Sequence, residues 1–544
     1  MAAAIATAGC GADADAPAGP IGYRVLRYDY TVDVRTREAH AVVDLAIDTG
    51  GDCLSIPQRA AGLANVTLDG EPIRAGSLAD GVLTACGAGW FAGQTATLAA
   101  DVVVPDETWG DSQVGFSVTE DLEGRPFTYL VSWVGGCDRF GPCDSAPDRF
   151  ARYRFEVHHA PSATALCPGR VEAASEDVTV CTFDFDGGPT YSTFGIAVGE
   201  SWTATDLGEW NGVRATLYDS ASTGIAAAVD ADRVAAFVDW MAAHFGPYPY
   251  GDELRLFTGP TYWNGFEHPG NIALSDGLVR GFGSLYARPL EHTMLHEIAH
   301  QWAGDQTTLA TPYDFVWKEA MAEYLAFAFE DVDTPDVAVR TARAWRAFAQ
   351  RAEYYPVPDE RPPLLDYYGD VYGAGPMVLF RQIEAMFGRD AVLAALADLL
   401  GRPRAIGVAD VRAALEAATG ADLSGYFDAW VYGAGAPQWP RVTIVVDDDG
   451  TGVTVTATQV TGGRVFGVAF PVRLAGDGEG DAVDVWLDFG VDGARVARAT
   501  ASPGFAVTGW QVDPDAYSLV IEDAGAAAPP AAPRNPWLAA RPSR

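Results

Sequence analysis

The residues best suited to chemistry lie in the segment LHEIAHQWAGD, which runs from Leu295 to Asp305. It contains two imidazoles, His296 and His300, four positions apart, and Glu297 directly follows the first. On a helix, positions four apart lie on one face, so both imidazoles can reach a single metal ion. The pattern predicts a helical metal site with Glu297 beside the metal rather than among its ligands.

A third ligand is needed, because a catalytic zinc ion usually takes three protein ligands and leaves a fourth position for water. The next predicted helix, in DFVWKEAMAEYLAF, offers Glu319, which follows His300 after 18 intervening residues. Glu323, one turn further along, is either an outer partner that orients a histidine ligand or a salt-bridged carboxylate. We expect His296, His300 and Glu319 to bind one Zn²⁺ per chain, with cobalt or manganese as possible substitutes in vitro.

The position of Glu297 suits a general base that takes a proton from water. A zinc ion lowers the pKa of a bound water to about 7, so hydroxide is available near neutral pH. Such a site serves hydrolysis of a carbonyl compound, most often a peptide. The alternative is a helix that carries these letters by accident, and the spacing to Glu319 argues against it.

The composition limits the possible partners. The chain has 544 residues, enough for several hydrophobic cores, and no apolar run approaches the roughly 20 residues needed to cross a bilayer. Acidic residues outnumber basic ones, 73 to 36, and the formal net charge is -37. Because this charge repels phosphate backbones and anionic membranes, we expect no nucleic-acid partner. Lys318 is the only lysine, and no catalytic role is assigned to it.

The first ten residues, MAAAIATAGC, are similar to a bacterial lipoprotein cleavage box in which Cys10 is acylated. The first basic residue is Arg24, whereas a secretory signal begins with basic residues. Either the true start lies upstream or the similarity is accidental. On the first interpretation, a lipid anchor at Cys10 is the expected membrane contact.

Cysteine usage indicates export independently of the N-terminus. Apart from Cys10, six cysteines lie in the first third of the chain, and six cysteines permit 15 pairings. The alternative is six buried free thiols. It is less expected for an exported, extracytoplasmic protein, because disulfides form in oxidising compartments. The simplest pairing joins sequence neighbours: Cys53 with Cys86, Cys137 with Cys143, and Cys167 with Cys181.

Changes in hydrophobic pattern divide the chain. Residues 22–205 alternate as antiparallel strands do, 206–439 are mostly helical, and 440–523 alternate again as a small β-sandwich. Residues 1–21 form the signal and tether, and 524–544 lack the apolar content of an ordered segment. Helices are predicted after the N-cap Asp230 as far as Gly246, and at about 288–304, 312–331, 336–352, 375–387, 389–400 and 408–418, with a strand at ELRLFTG.

HEIAHQWAGD, followed by Glu319 in VWKEAMAEYLAF, resembles the signature of the gluzincin aminopeptidases, the family of aminopeptidase N and leukotriene A4 hydrolase. The resemblance extends over about residues 22–522 and includes FGPYPY at Phe245–Tyr250 and DLSGYFDAWVYGAGAPQWP. It implies an α+β multidomain fold with an N-terminal β-saddle, a thermolysin-like catalytic domain and a C-terminal β-sandwich. It also implies a zinc aminopeptidase that acts on peptides with a free N-terminus.

The segment NGFEHPG is similar to the family's G-A-M-E-N loop. The resemblance implies that Glu267 binds the substrate's α-amino group and that Gly265, Phe266 and His268 are its neighbours in the substrate site. A carboxylate there attracts an ammonium group and sets its distance from the scissile carbonyl. The loop departs from the family at Asn264, Phe266 and His268, and a turn with a surface glutamate is the alternative.

DVYGAGPMVLF resembles the family's VYEKGAAVL, which implies that Tyr372 donates a hydrogen bond to the oxyanion, an interaction worth about 3 kcal/mol. Tyr367 and Tyr368 are competing assignments, and an aromatic packed in the core at a helix start is the alternative. Relatives also supply a second amine-binding Gln or Glu from the N-terminal domain. The matching stretch, SWVGGCDRFG, has neither, and Trp133 falls near that position.

Three other functions are alternatives to the aminopeptidase. A gluzincin endopeptidase or an epoxide-type hydrolase would use the same scaffold. A non-catalytic surface binding protein would keep the fold without a complete ligand set. The sequence predicts neither the preferred side chain of the substrate nor the oligomeric state.

Overall fold

The computed structural model describes residues 18–73, 75–108, 113–280, 286–460 and 462–523. The predicted lipidation site, Cys10, lies outside these residues. So do the predicted tail at 524–544 and most of the tether at 11–21.

The N-terminal region is built from strands whose side chains alternate between the core and the surface, as the pleat requires. Tyr30, Val43 and Leu98 are among the residues that its core buries. Over the described residues, its largest sheet has the order Arg170–Ala174, Val178–Pro189, Phe150–His158, Gly22–Asp33, Glu38–Thr49, Thr95–Val103, Ala61–Leu68 and Glu71–Pro72. Two smaller sheets contain Thr164–Leu166, Gly195–Gly199, Pro126–Val131 and Gly115–Glu120, and Gly51–Pro57, Val82–Trp90 and Ala75–Ala79.

The three disulfides found among the described residues lie in this region and join sequence neighbours. They are Cys53–Cys86, Cys137–Cys143 and Cys167–Cys181. Cys53 and Cys86 lie directly opposite each other on paired strands. Because each bond closes a loop, the three together restrict the unfolded chain.

The predicted boundary between residues 205 and 206 falls inside a strand. Trp202–Trp210 pairs with Val213–Ser220, so the change from one sheet to the next lies between Gly199 and Trp202. Alternating hydrophobicity marks a strand but does not indicate which sheet it joins. The five strands of this sheet, within the described part of the chain, are Trp202–Trp210, Val213–Ser220, Glu253–Gly259, Asn271–Ser275 and Gly265–Phe266, in that order.

The helices follow mainly after this sheet. Among the described residues they are α1 (Ile225–Ala228), α2 (Ala231–Phe245), α3 (Pro289–His300), α4 (Phe315–Asp333), α5 (Pro335–Ala349), α6 (Leu364–Pro376), α7 (Gln382–Phe387), α8 (Arg389–Leu399), α9 (Val408–Thr419) and α10 (Ser424–Trp430). Asp230 caps α2 by accepting a hydrogen bond from the backbone of Arg233. Helix α3 ends at His300, earlier than the predicted 304, because the chain turns there and Gly304 has a φ of 144°.

The predicted helix at 375–387 has the wrong start. Helix α6 begins at Leu364 and continues through a π-helical turn, Met377–Arg381, into α7. Glycines within α6 lower its helix propensity, so the sequence did not predict its first residues as helical. Packing explains Gly373, because a β-carbon there would lie 2.5 Å from the Cβ of Phe348 on α5.

Helix α4 is buried on every side from Phe315 to Glu330, although it carries Lys318, Glu319 and Glu323. Buried charges are stable only when they are paired or bind a metal. This helix therefore requires partners for its charged side chains, and α3 packs against it to supply several of them.

The C-terminal region consists of two antiparallel-rich sheets. In the described residues, one has the order Val496–Ala501, Val453–Gln459, Arg441–Asp448 and Ile521–Glu522, and the other Ala482–Asp488, Ala469–Ala475 and Gly509–Val512. Short pairs join Thr307–Leu309 to Arg404–Ile406 and Val357–Pro358 to Tyr432–Gly433. The described part of the chain therefore has an α+β fold.

None of the helices in the described ranges combines the length and apolar character needed to span a membrane.

Candidate active site

Helices α3 and α4 bring three ligand-type side chains together. The Nε2 atoms of His296 and His300 lie 2.9 Å apart, and Oε2 of Glu319 lies 3.3 Å from each of them. All three side chains are buried. The one-turn spacing on α3 and the packing of α4 against it thus place two nitrogens and one oxygen around a single point.

The protonation of these groups fits a metal ion. Nδ1 of His300 lies 2.9 Å from the carbonyl oxygen of Ala303, so Nδ1–H is the donor and Nε2 carries a lone pair. Oε2 of Glu319 is buried and has no hydrogen-bond donor among the described residues. Lone pairs that face one another in a buried site repel unless a cation lies between them, and imidazole nitrogen with carboxylate oxygen suits zinc.

Glu323 lies on the outer side of the same cluster. Its Oε1 is 3.3 Å from Nδ1 of His296, and Tyr286 donates its hydroxyl to Oε1 at 2.9 Å. The indole Nε1–H of Trp345 donates to Oε2 at 2.7 Å. Glu323 therefore contacts the ring of His296 at the nitrogen that faces away from Glu319.

Glu297 projects beside the imidazole pair and is 6 % exposed. Burial raises the pKa of Glu297 to about 8, and His296 partly opposes this shift. A carboxylate whose pKa lies near the operating pH is suited to accept a proton and return it. Gly265 lies directly against this carboxyl group, because a β-carbon on Gly265 would overlap Oε1 of Glu297.

Replacing Gly265 by Ala should lower kcat by about 100-fold, because a displacement of about 1 Å at a reacting group has an effect of that size. The methyl group would push the Glu297 carboxylate aside and leave the three ligand atoms in place. Steady-state kinetics together with metal analysis would check this. Loss of metal in Gly265→Ala, or unchanged kcat, would contradict the assignment of this contact.

Lys318 is a central residue that the sequence did not predict. Its Nζ lies 2.7 Å from Oε1 of Glu319 and 3.0 Å from Oε1 of Glu267, and the side chain is 2 % exposed. Burial alone would raise the pKa of Glu267, but Lys318 outweighs it, and the net shift is downward. A lone lysine beside a predicted ligand is the only sequence signal that pointed to it.

A second set of ligand-type atoms, from Glu267, Glu297 and His300, also lies within 4.8 Å. Lys318 pairs with both Glu267 and Glu319, so this lysine does not distinguish the two sets. Two histidines and one glutamate are an established set of catalytic zinc ligands, so His296, His300 and Glu319 are the better metal site. The two sets share His300, so the carboxylates of Glu267 and Glu297 lie next to the metal position.

Two other residues of the HEIAHQWAGD segment, Gln301 and Asp305, help to hold the loop that carries Glu267. Gln301 donates to the carbonyl oxygen of Glu267 at 2.8 Å and accepts from the backbone N–H of Gly270 at 2.8 Å. Asp305 accepts a hydrogen bond of 2.7 Å from Ser192 of the N-terminal region. No local sequence pattern predicts these roles of Gln301 and Asp305, because their partners are distant in the chain.

His268, a predicted neighbour of the substrate, is packed between the loop and the N-terminal region. Its ring is fully buried, Nδ1 donates to the carbonyl oxygen of Ser192 at 2.6 Å, and Nε2 accepts from Tyr129 at 2.5 Å. Phe266 is also buried, and it stacks on His268 with centroids 4.3 Å apart. Both side chains fix the loop to the N-terminal region instead of lining the cavity.

The three candidate tyrosines differ in placement. Tyr367 points away, and its hydroxyl donates to the carbonyl oxygens of Pro356 and Tyr313. Tyr372 is stacked near His296, with ring centroids 6.0 Å apart, and its hydroxyl lies 2.5 Å from that of Tyr368. Burial raises the pKa of Tyr372 well above its ordinary value, so the phenol stays protonated and is able to donate.

A cavity opens beside this cluster. Several aromatic side chains line it, and His296 and Glu297 are also among its lining residues. Trp133, the residue near the position where relatives have a Gln or Glu, packs behind the wall against Phe315 and Tyr368. The lining includes the aromatic residues Tyr262, Trp263, Tyr286, Tyr368 and Tyr372, and also His292 and Glu323.

Comparison with curated proteins finds two informative relatives. Aminopeptidase N of Streptomyces lividans is 25 % identical over 360 residues, which cover 61 % of this chain and 41 % of the relative. The Tricorn protease-interacting factor F2 of Thermoplasma volcanium is 26 % identical over 243 residues, which cover 41 % of this chain and 30 % of the relative. The chain thus spans less than half the length of the curated relatives that it matches. No protein-family model matches the chain.

Solved structures share the fold. A two-domain M1 zinc metallopeptidase bound to L-arginine superposes with a TM-score of 0.63 at 19 % identity, covering 77 % of this chain and 96 % of that one. An M1 zinc metallopeptidase from Deinococcus radiodurans bound to a Tyr-Ser-Ala substrate gives a TM-score of 0.61 at 18 % identity, covering 74 % and 92 %.

The described residues thus have the fold of these M1 zinc metallopeptidases. In sequence, the chain is similar to an aminopeptidase N.

Proposed function

We propose that the chain is a zinc aminopeptidase that removes N-terminal residues from peptides. The observation that carries the proposal is the convergence of His296, His300 and Glu319 next to two further carboxylates, Glu297 and Glu267. A relative named aminopeptidase N and a structural neighbour bound to a peptide support it.

In this proposal His296, His300 and Glu319 hold one zinc ion, and Glu323 orients the ring of His296. Zinc in such a site supplies Lewis acidity toward water and a carbonyl oxygen. Glu297 takes a proton from the attacking water and delivers it to the leaving nitrogen. Tyr372 donates a hydrogen bond to the carbonyl oxygen as negative charge develops there, with its hydroxyl oriented by Tyr368.

Glu267 is the proposed partner of the substrate's α-ammonium group. Its carboxylate lies within 4.8 Å of one oxygen of Glu297, so an ammonium bound there is close to the reacting carbonyl. This separation limits the enzyme to removing a short N-terminal unit rather than cutting an interior bond. The aromatic cavity wall would receive a large apolar side chain.

An endopeptidase is the second candidate, and one contact favours it. Lys318 already neutralises Glu267, and no Gln or Glu occupies the position near Trp133 where relatives carry a second amine ligand. A weak amine site would allow longer chains to bind. The two candidates differ in how they treat a substrate whose amine is blocked.

Hydrolysis of leucyl and phenylalanyl anilides by zinc-loaded protein should be readily detected, and N-acetylation of either substrate should remove nearly all of it. The acetyl group removes the positive charge that Glu267 would bind and adds atoms where the ammonium would lie. Anilide release measured for each pair of substrates checks this. Equal rates for free and acetylated substrates would favour the endopeptidase, and no hydrolysis of either, or of a long peptide, would contradict both.

We further propose that the first domain boundary lies between Gly199 and Trp202. The residues from 22 to this boundary then form a β-saddle domain, those from the boundary to 439 form a thermolysin-like domain, and 440–523 form a β-sandwich. The sheet pairings support this division. The three disulfides support an extracytoplasmic location.

A further inference from the structure

We infer that His292 is a positioning residue of the metal centre, which acts on the ligand His296 through Glu323. The inference rests on the proposed function and extends the site by one helical turn. It comes from a polar ladder in which histidines of α3 alternate with glutamates of α4. The ladder residues are His292, His296 and His300 on α3 and Glu319, Glu323 and Glu330 on α4.

Each glutamate of the polar ladder contacts the histidines next to it. Glu319 lies 3.3 Å from both His300 and His296. Glu323 lies 3.3 Å from His296 and 3.1 Å from Nε2 of His292. At the outer end, Glu330 lies 3.0 Å from Nδ1 of His292. The contacts therefore run without a break from the metal ligands to Glu330.

His292 is held between two carboxylates. Since Nε2 faces Glu323 and Nδ1 faces Glu330, both nitrogens must carry a proton to donate, and the ring is an imidazolium. Burial opposes this charge, but the two carboxylates outweigh it and raise the pKa of His292 to about 10. Tyr286 stacks on the ring with centroids 4.1 Å apart.

The two carboxylates bind opposite nitrogens of the ring, so this outer part of the ladder does not form a second metal site. Instead, the His292 cation fixes one oxygen of Glu323 and shares its negative charge. The other oxygen, Oε1, is left to face Nδ1 of His296. A carboxylate in that position fixes the tautomer and direction of a metal-binding imidazole, and losing it typically costs 10- to 100-fold in metal affinity.

Without His292, the donors to Glu323 on this side, among the described residues, would be the neutral groups of Tyr286 and Trp345. Its carboxylate would then be free to turn, and the ring of His296 would lose its fixed outer contact. His292 therefore matters for metal affinity through its side-chain contact with Glu323.

The test compares zinc affinity in four full-length proteins: wild type, His292→Gln, Glu323→Gln and the double variant. Competition with a chromogenic chelator gives each zinc Kd, and the visible spectrum of the Co²⁺-substituted protein reports the ligand geometry. We expect each single variant to weaken zinc binding by about 10- to 100-fold. The double variant should be no weaker than Glu323→Gln, since residues that act through one contact are not additive. The cobalt spectrum should change in both single variants.

His40→Gln, the same substitution at an exposed histidine, is the control and should leave both readouts unchanged. If His292→Gln does not fold, Glu330→Gln removes only the outer carboxylate and should shift the cobalt spectrum in the same direction. A zinc Kd within twofold of wild type in His292→Gln, an unchanged spectrum, or fully additive effects would overturn the inference. Failure of wild type to bind zinc would instead overturn the proposed function.

Discussion

Glu297→Gln should lower kcat by about 10²- to 10⁴-fold while one zinc ion per chain stays bound. The amide has nearly the same shape as the carboxylate but cannot accept the proton of the attacking water. Glu297 is not one of the three atoms that converge on the metal position, so the metal should remain. Single-turnover kinetics and metal analysis on the same preparation would measure both quantities.

The matched control for this variant is Glu291→Gln, the same change on the same helix. Glu291 is paired with Arg233 near the start of α3, away from the metal ligands. Its replacement should leave kcat within about twofold of wild type, as expected for a residue that touches no reacting group. Full activity of Glu297→Gln would exclude Glu297 as the base, whereas loss of zinc would mean that Glu297 belongs to the coordination shell.

The metal cluster was predictable because helical spacing fixes most of it. His296 and His300 are one turn apart, so their relative position follows from the helix alone. Glu319 required a second helix, and its spacing from His300 resembles that of a known family. The structure brings all three together without any residue having to be reassigned.

The partners of buried charges were not predictable from local patterns. Gln301 and Asp305 act through the backbone of Glu267 and through Ser192, contacts that join segments far apart in the chain. The start of helix α6 was not predicted because glycines such as Gly373 lower local helix propensity. Gly373 also allows α6 to pack closely on α5. In both cases tertiary packing decides what the local sequence leaves open.

His292 illustrates the same limit within the motif itself. The spacing of His292, His296 and His300 places all three on one face of α3. The family signature includes His296 and His300 but not His292. Whether a third histidine is core or functional depends on what α4 presents to it. Glu323 and Glu330 supply that answer only once the two helices are packed.

Replacing Lys318 by Met should destabilise the metal-free protein by about 3 to 5 kcal/mol, the usual result of removing one partner from a buried ion pair. The change leaves the carboxylates of Glu267 and Glu319 buried without their shared cation. Burial opposes the lysine charge, but these two carboxylates outweigh it and raise the pKa of Lys318 above its ordinary value. A raised lysine pKa contributes stability that is complete at neutral pH and is lost only as the pH rises through the folded-state pKa.

Urea unfolding at pH 7 in the presence of a chelator, followed by tryptophan fluorescence, would measure the loss. Arg214→Met is the control, because Arg214 pairs with Asp206 on the surface, where an ion pair contributes about 0.5 kcal/mol or less. Zinc should restore part of the stability of Lys318→Met, because a zinc ion bound by Glu319 would neutralise one of the two carboxylates that the lysine pairs with. Equal losses in the two variants would mean that Lys318 is not the counter-ion of this cluster, and that Glu267 and Glu319 are held apart by other groups.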